Sequence, residues 1–191
     1  MANVDDWPAG SGWIAERPLY LRVVWADSDT GPATVTDIVD ALWNVELLYD
    51  FAVLLAHPAY QVYDLQEPEE FFRSGWQALD RDHRLQAVSV EHHSPLLLLA
   101  VIPVGAGAVW AITQSVEKIA NFRLNRRKLK AEVTKAEAEA RRVDAEADSI
   151  EYQKLLDRRG ASVTAERLRA QIQAAPLQIT EAELTDDRPA A

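Results

Sequence analysis

The residues best suited to bind a metal ion or to transfer protons lie near the middle of the chain. Three histidines flank a predicted strand and have acidic neighbours: His83, His92 and His93, beside Asp82 and Glu91. Zinc needs three or four converging ligands, and adjacent residues in a strand point to opposite faces. The pattern is therefore typical of a solvated corner, and it predicts no metal and no cofactor. The alternative interpretation is that these histidines sense pH at a membrane surface.

Other chemistry-bearing patterns are incomplete. Asp27, Ser28 and Asp29 follow a predicted strand but lack further ligands, so they indicate a polar turn. Glu69 and Glu70 are adjacent and diverge on a helix. The chain has neither a phosphate-binding glycine loop nor a nucleophile elbow. It has no cysteine, which excludes thiolate catalysis, disulfides and cysteine-based zinc sites. The sequence thus predicts no catalytic residue and argues against an enzyme.

The composition predicts a folded protein with uneven charge. The chain has 191 residues, of which 48% are hydrophobic, and this length fits one domain or one domain with an extension. Residues 1–94 contain 16 acidic and 5 basic side chains, whereas residues 95–159 contain 9 acidic and 12 basic ones. The first part should repel nucleic acid and anionic lipid, and the second could attract either. The N-terminus has no secretory signal pattern.

The N-terminal half has the pattern of an α+β fold. After a loose tail, residues 1–18, a small α/β domain is predicted over residues 19–93 in the order β-α-β-α-β. Its elements are strand 19–26, helix 35–56, weak strand 60–65, a helix from residue 68 to about 79, and strand 84–91. Thr34 and Asp37 form a capping signature before the first helix, and His57-Pro58 ends it.

The segment 94–113 is the most apolar part of the chain. Residues 95–113 carry no charge and, as a helix, would extend roughly 28 Å, close to the thickness of a bilayer core. The sequence therefore predicts a membrane-embedded helix containing Leu96, Leu97, Leu98, Leu99, Ile102, Val104, Val109 and Trp110. In the alternative interpretation, Pro103, Gly105 and Gly107 divide the segment into two short pieces that are buried in the protein or between protomers.

A helical stem is predicted over residues 114–159, because basic residues are followed by a heptad pattern. The basic residues predicted to contact lipid headgroups are Lys118, Arg123, Arg126, Arg127, Lys128 and Lys130. The heptad seam predicted to mediate oligomerisation is Leu129, Val133, Ala136, Ala140, Val143, Ala147 and Ile150. This apolar helix and stem would form one long coiled-coil-like helix that ends at Gly160. A short helix, 160–174, and a disordered tail, 175–191, complete the prediction.

Taken together, these patterns predict a membrane-anchored, self-associating scaffold or adaptor. Its predicted partners are a second copy of the chain, anionic lipid and a protein that binds the N-terminal domain; nucleic acid is not expected. The predicted location is the bacterial inner membrane with a cytoplasmic stem. The alternatives are a soluble, cytoplasmic homo-oligomeric interaction module with the apolar segment buried, and a membrane-permeabilising effector.

Overall fold

A computed structural model describes residues 19–26, 33–92, 96–102, 109–116 and 135–185. Its strands are β1 (Leu19–Ala26), β2 (Gln86–His92), β3 (Leu96–Ile102) and β4 (Gln178–Thr185). Its α-helices are α1 (Val35–Ala56), α2 (Pro68–Ala78), α3 (residues 109–116), α4 (Lys135–Arg158) and α5 (Ser162–Ala174). Single-turn 3-10 helices at Pro58–Tyr60 and Arg81–His83 follow α1 and α2.

Helix α1 has the predicted bounds because both of its ends are determined locally. The Thr34 hydroxyl accepts a hydrogen bond from the Asp37 amide at 3.2 Å, and the Asp37 carboxylate accepts one from the Thr34 amide at 2.8 Å. This capping box satisfies amides that have no partner within the helix. The bonds from Thr34, its amide first, also lower the pKa of Asp37. His57 is extended before Pro58, and the helix stops there.

Within the described residues, four strands form one antiparallel sheet in the order β2-β3-β1-β4. Side chains alternate along β1, so that Leu21, Val23 and Trp25 enter the hydrophobic core. The same core contains the C-terminal half of α1 and buried residues of α4 and α5. The α+β class is therefore confirmed, with helices and an antiparallel sheet sharing one hydrophobic core.

The prediction of a membrane-embedded helix is wrong, since the first part of the segment is strand β3. It pairs with β1 on one side and with β2 on the other, which satisfies both rows of its backbone groups. Leu98, Ala100 and Ile102 pack in the core on one face, and Leu99 is only 7% exposed on the other. A strand buried on both faces requires a nearly continuous apolar sequence, and such a run resembles a membrane span.

The other residues of the predicted span are accounted for as follows. Leu97 is half-buried in β3, and Leu96 also belongs to this strand. Val109 and Trp110 begin α3 and pack half-buried against the core. Val104 lies outside the described residues. No helix in the described ranges combines the length and the apolar character that crossing a bilayer requires. In the alternative interpretation, Pro103 divided the apolar segment into two short buried pieces, and strand β3 has the position of the first of them.

The C-terminal part of the chain completes the same fold. Where the sequence predicted a disordered tail, residues Gln178–Thr185 form β4 and pair with β1. Helix α5 packs on α1 and α2, and it buries Thr164, Leu168 and Ile172. A long coiled-coil helix is not shown: in the described part of the stem, residues 114–116 end α3, and Lys135–Arg158 form the 24-residue helix α4. Residues 60–65, predicted as a weak strand, form the end of a 3-10 helix and a turn.

Candidate functional site

Helix α4 has one buried side and one exposed side over its C-terminal half. Tyr152 and Leu156 are 3% and 4% exposed and belong to the core. Ile150 is 56% exposed, and Ala147 is also exposed. At about 100° of rotation per residue, Ala147 and Ile150 lie opposite Tyr152 and Leu156. We name the face of the heptad positions Ala136, Ala140, Val143, Ala147 and Ile150 the outer face of α4; the structure describes the exposure of two of its members, Ala147 and Ile150.

The outer face of α4 thus contains five of the seven predicted seam residues. The structure shows Ala147 and Ile150 exposed, and it places Ala136, Ala140 and Val143 within the helix. Leu129 and Val133 lie outside the described residues. So do all six residues predicted to contact lipid headgroups: Lys118, Arg123, Arg126, Arg127, Lys128 and Lys130. That lipid contact stays a prediction.

A second group of interest connects the end of α1 to the segment before β2. We name it the histidine cluster and define it by His57, Tyr60, Asp80 and His83. The Tyr60 hydroxyl lies 2.6 Å from His83 Nδ1 and accepts a hydrogen bond from the Asp80 amide at 3.0 Å. The two imidazole rings are 4.8 Å apart between centroids. Four titratable side chains therefore meet in one group of hydrogen bonds and tilted or edge-on ring contacts.

Backbone contacts fix the rings of the histidine cluster. The Tyr49 hydroxyl donates a hydrogen bond to the His83 carbonyl at 2.7 Å, and Tyr49 is fully buried in α1. The His57 Nδ1 atom accepts a hydrogen bond from the Ala59 amide at 3.3 Å. Burial, and secondly the nearby His83, lowers the pKa of His57. The two rings are close enough for a positive charge on one to oppose a positive charge on the other.

Sequence reasoning grouped His83 with His92 and His93, whereas the structure brings it to His57. The two residues are 26 positions apart, and no spacing rule connects them. The pair meets because His57 ends α1 and His83 ends the 3-10 helix after α2, and α1 packs on α2. Within the described residues, no three histidine, cysteine, aspartate or glutamate side chains are arranged to hold a metal ion.

A buried carboxylate lies next to Tyr49 along α1. Asp50 is 2% exposed, and its Oδ2 atom has no hydrogen-bond partner in the described part of the chain. Burial, with a smaller contribution from Glu46, raises the pKa of Asp50 to about 7, although Arg84 acts in the opposite direction. A carboxyl group with this pKa changes its charge near neutral pH, which is typical of functional sites and also of isolated buried acids.

Arg159 connects the end of α4 to the segment that carries His57 and Tyr60. Its Nη2 atom donates to the carbonyls of Leu54, Tyr60 and Tyr63 at 3.1, 3.0 and 2.9 Å, and Nη1 donates to that of Gln61. The Thr164 hydroxyl donates to the Leu65 carbonyl at 2.7 Å. The segment 57–66 is thus held by α4 and α5 on one side and by His83 on the other.

The cleft between α1, α3, α4 and α5 is too small for a cofactor. Its volume is about 40 Å³, whereas ligand pockets usually measure roughly 300–1,000 Å³. Leu48, Phe51 and the Ser115–Tyr152 pair line it. The hydroxyls of that pair are 2.6 Å apart, and burial raises the pKa of Tyr152 to about 12. The pair is a buried, mutually satisfied contact of the core.

The remaining sequence candidates lie on separate elements or outside the described ranges: Glu69 and Glu70 are in the first turn of α2, His92 ends β2, and His93 is outside the described residues. Glu69 binds Arg167, whose hydrogen bond lowers the pKa of the carboxylate, and the Arg167 guanidinium lies 4.7 Å from the centre of the Phe72 ring. Asp27 and Asp29 are outside the described residues. Comparison with family models, with curated proteins and with solved structures finds no match to this chain.

Proposed function

We propose that this chain is a protein-interaction module that self-associates through the outer face of α4. The observation that supports the proposal is the exposure of Ile150, on a helix whose other side is anchored in the core by Tyr152 and Leu156. The heptad spacing of the outer face is that of helices that pack side by side. A second copy of the same face would cover it.

The expected affinity is modest, because most residues of the outer face are small. Full burial of one isoleucine contributes roughly 1.5–3 kcal/mol, and each alanine contributes much less. Small residues allow the two helix backbones to approach closely, but they bury little area in each layer. Association should therefore depend on concentration over an experimentally accessible range.

The charges beside the heptad seam favour an antiparallel pair. With Ala140 and Ala147 at position a, the flanking positions e and g between residues 136 and 151 are all acidic: Glu137, Glu139, Asp144, Glu146 and Glu151. A parallel pair would oppose acids to acids along this length. In the preceding sequence, outside the described residues, the same positions include Lys118, Arg123 and Lys130. In the predicted stem, an antiparallel pair would oppose Arg123 to Glu151 and Lys130 to Asp144 of the second copy.

Replacing Ile150 with glutamate tests the surface. The Ile150→Glu variant should raise the concentration midpoint of association at least tenfold. The added carboxylate would lie on an apolar face that already has acidic residues on both sides. Light scattering after size-exclusion chromatography measures the mass across a dilution series. The matched control is Val163→Glu, because Val163 is 64% exposed and belongs to α5 rather than to α4. If both variants had the same concentration midpoint of association, the outer face of α4 would not be the interface.

Introduced cysteines report the orientation, because the chain has none of its own. In a parallel pair, Ala147→Cys would form a disulfide with itself. In the antiparallel pair, differently tagged Ala147→Cys and Leu129→Cys chains should cross-link to each other, and Ala147→Cys alone should not. A strong homodimeric disulfide of Ala147→Cys would contradict the charge argument while leaving self-association intact.

A further inference from the structure

The first half of helix α1 has three large apolar side chains on its surface. Val35 is 78% exposed, Val39 is 56% exposed and Trp43 is 39% exposed. Because they follow one another at intervals of four residues, they lie within one sector of about 80° and extend for about 12 Å along the helix. We name these three residues the apolar stripe of α1. Single exposed hydrophobic residues are common on soluble proteins, whereas an aligned group of them is typical of an interaction surface.

The apolar stripe is held in place by the packing of the rest of α1. Ala41 and Val45 are buried in the core on the far side of the helix, and Ile38 and Leu42 are half-buried between them and the stripe. The capping box fixes the first turn, to which Val35 belongs. A partner would therefore find this surface already ordered, which lowers the entropic cost of binding.

The charged residues of α1 all have the same sign. The helix contains Asp37, Asp40, Glu46 and Asp50, and it contains no lysine, arginine or histidine. Asp37 and Asp40 are exposed, and Glu46 is half-buried about one turn after Trp43, in the same sector as the stripe. A partner that covers the stripe would therefore gain from lysine or arginine beside its own apolar residues.

A buried carboxylate continues this sector beyond the stripe. Asp50 follows Glu46 by one turn, and its Oδ2 atom has no hydrogen-bond partner among the described residues. Of the charged neighbours that act on Asp50, Glu46 raises its pKa more than Arg84 lowers it. The acidic influence thus exceeds the basic one at this end of the stripe, and an added cation would be favourable there.

Two other occupants fit the apolar stripe less well. A second copy of α1 would place carboxylates opposite carboxylates in either orientation, because the helix has no basic residue. A bilayer with anionic lipid would be repelled by the exposed Asp37 and Asp40. A basic helix has neither disadvantage, and residues spaced four apart form a ridge of the kind that packs into the groove of another helix.

We propose that the apolar stripe of α1 binds an amphipathic helix of another protein, whose apolar residues cover Val39 and Trp43 and whose lysine or arginine side chains pair with Glu46. Asp40 would attract further basic residues at the border of the contact. Binding at this stripe does not require self-association, because the outer face of α4 belongs to a different helix. The chain would then have one surface for its own copy and another for a different protein.

Titration of the full chain with synthetic peptides, followed by NMR of the tryptophan indole groups, tests the site. The peptides have about 18 residues, or roughly five helical turns. The basic peptide has leucines at alternating intervals of three and four residues with lysine and arginine beside them, and the acidic peptide has glutamate in place of each basic residue. The Trp43 indole signal, assigned with Trp43→Phe, should shift with the basic peptide, and that of the buried Trp25 should not. The acidic peptide should bind at least tenfold more weakly.

Substitutions on the surface locate the contact. Val39→Lys should weaken binding of the basic peptide at least tenfold, because it removes apolar area and places a positive charge against the peptide. Val163→Lys makes the same change on α5 and should bind within about twofold of the wild type. Ile150→Lys should keep the Trp43 response, since the outer face of α4 also has acids beside it. If Val39→Lys does not fold, Asp40→Lys, at an exposed position of the same helix, takes its place.

Any of four results would overturn the proposed contact. The first is a Trp43 signal that does not move with the basic peptide, and the second is equal binding of the basic and acidic peptides. The third is equal weakening by Val39→Lys and Val163→Lys, or loss of the Trp43 response in Ile150→Lys. The fourth is a Trp43 shift with vesicles of phosphatidylcholine and phosphatidylglycerol but not with the peptide, which would assign the stripe to a bilayer.

Discussion

Asp50 shows how one buried residue makes stability depend on pH. Its carboxyl has a pKa of about 7 against an ordinary value of 3.8, mainly because of burial. Between these two pH values, the folded chain retains a proton that the unfolded chain releases. Stability contributed by this residue therefore falls as the pH rises from about 4 to 7, and the penalty is complete above that range. The slope is opposite to the one expected for His57.

Asp50→Asn should remove this penalty. At pH 8 the variant should be more stable than the wild type by about 2–4 kcal/mol, and at pH 4 the two should be nearly equal. Urea unfolding at both pH values measures the difference. Asp40→Asn is the matched control, since Asp40 is exposed on the same helix. A gain of the same size at both pH values would mean that packing, not ionisation, causes it.

Residue types alone indicated little of this chemistry. The sequence identified Thr34 and Asp37 as a cap because the two are three positions apart and interact within one turn. It did not identify the contact of His57 with His83, or of Arg159 with Leu54, since these depend on how separate elements pack. The raised pKa of Asp50 could not be predicted either. Its cause is burial, and the burial of a residue on α1 depends on which elements pack over the helix, not on the residue pattern of the helix itself.

At the scale of elements, the junction between α4 and α5 depends on one glycine. Gly160 has φ +62° and ends α4 in a Schellman arrangement. The Gly160 amide donates to the Asp157 carbonyl at 3.1 Å, and the Ala161 amide donates to that of Leu156 at 2.8 Å. The turn directs Arg159 towards the carbonyls of the segment 57–66.

Gly160→Ala should therefore lower the free energy of unfolding by about 1–2 kcal/mol, because a left-handed conformation is strained for alanine. An added Cβ would also lie 2.4 Å from Gln66 Cγ, which must move. Gly160→Asn should cost less, since asparagine adopts positive φ more readily. Urea denaturation measures both variants. Equal losses for alanine and asparagine would indicate that the contact with Gln66, rather than the backbone, is limiting.

The sequence predicted correctly the elements whose ends depend on nearby residues. It did not predict the strands whose formation depends on pairing with distant segments. Strand β1 and helix α1 have the predicted bounds. Strand β3 was taken for a helix because an apolar run lacks a period, although Pro95 and Pro103 limit it to seven residues between them. Strand β4 was missed because the bulge near Thr180 breaks the alternation of Ile179, Ala182 and Leu184. Its pairing with β1 joins segments more than 150 positions apart.

At the scale of the whole molecule, strand β1 joins the two ends of the described chain, because it pairs with the C-terminal strand β4. This strand comes first among the described elements, yet it lies inside the sheet because β4 covers the edge that β3 leaves open. The core likewise combines α1 with residues from α4 and α5. The first and the last described strands, β1 and β4, therefore belong to one sheet.

Removing β4 should therefore destabilise the entire fold, and not only the C-terminal segment. A chain ending after Ala175 loses one of the two pairing partners of β1 and the buried Leu177, and it exposes an apolar strand edge. We expect loss of cooperative thermal unfolding, followed by circular dichroism, and aggregation in size-exclusion chromatography. A chain ending after Thr185 keeps β4 whole and serves as the control. Cooperative unfolding of the shorter chain, within a few degrees of the control, would show that residues 1–175 fold without the fourth strand.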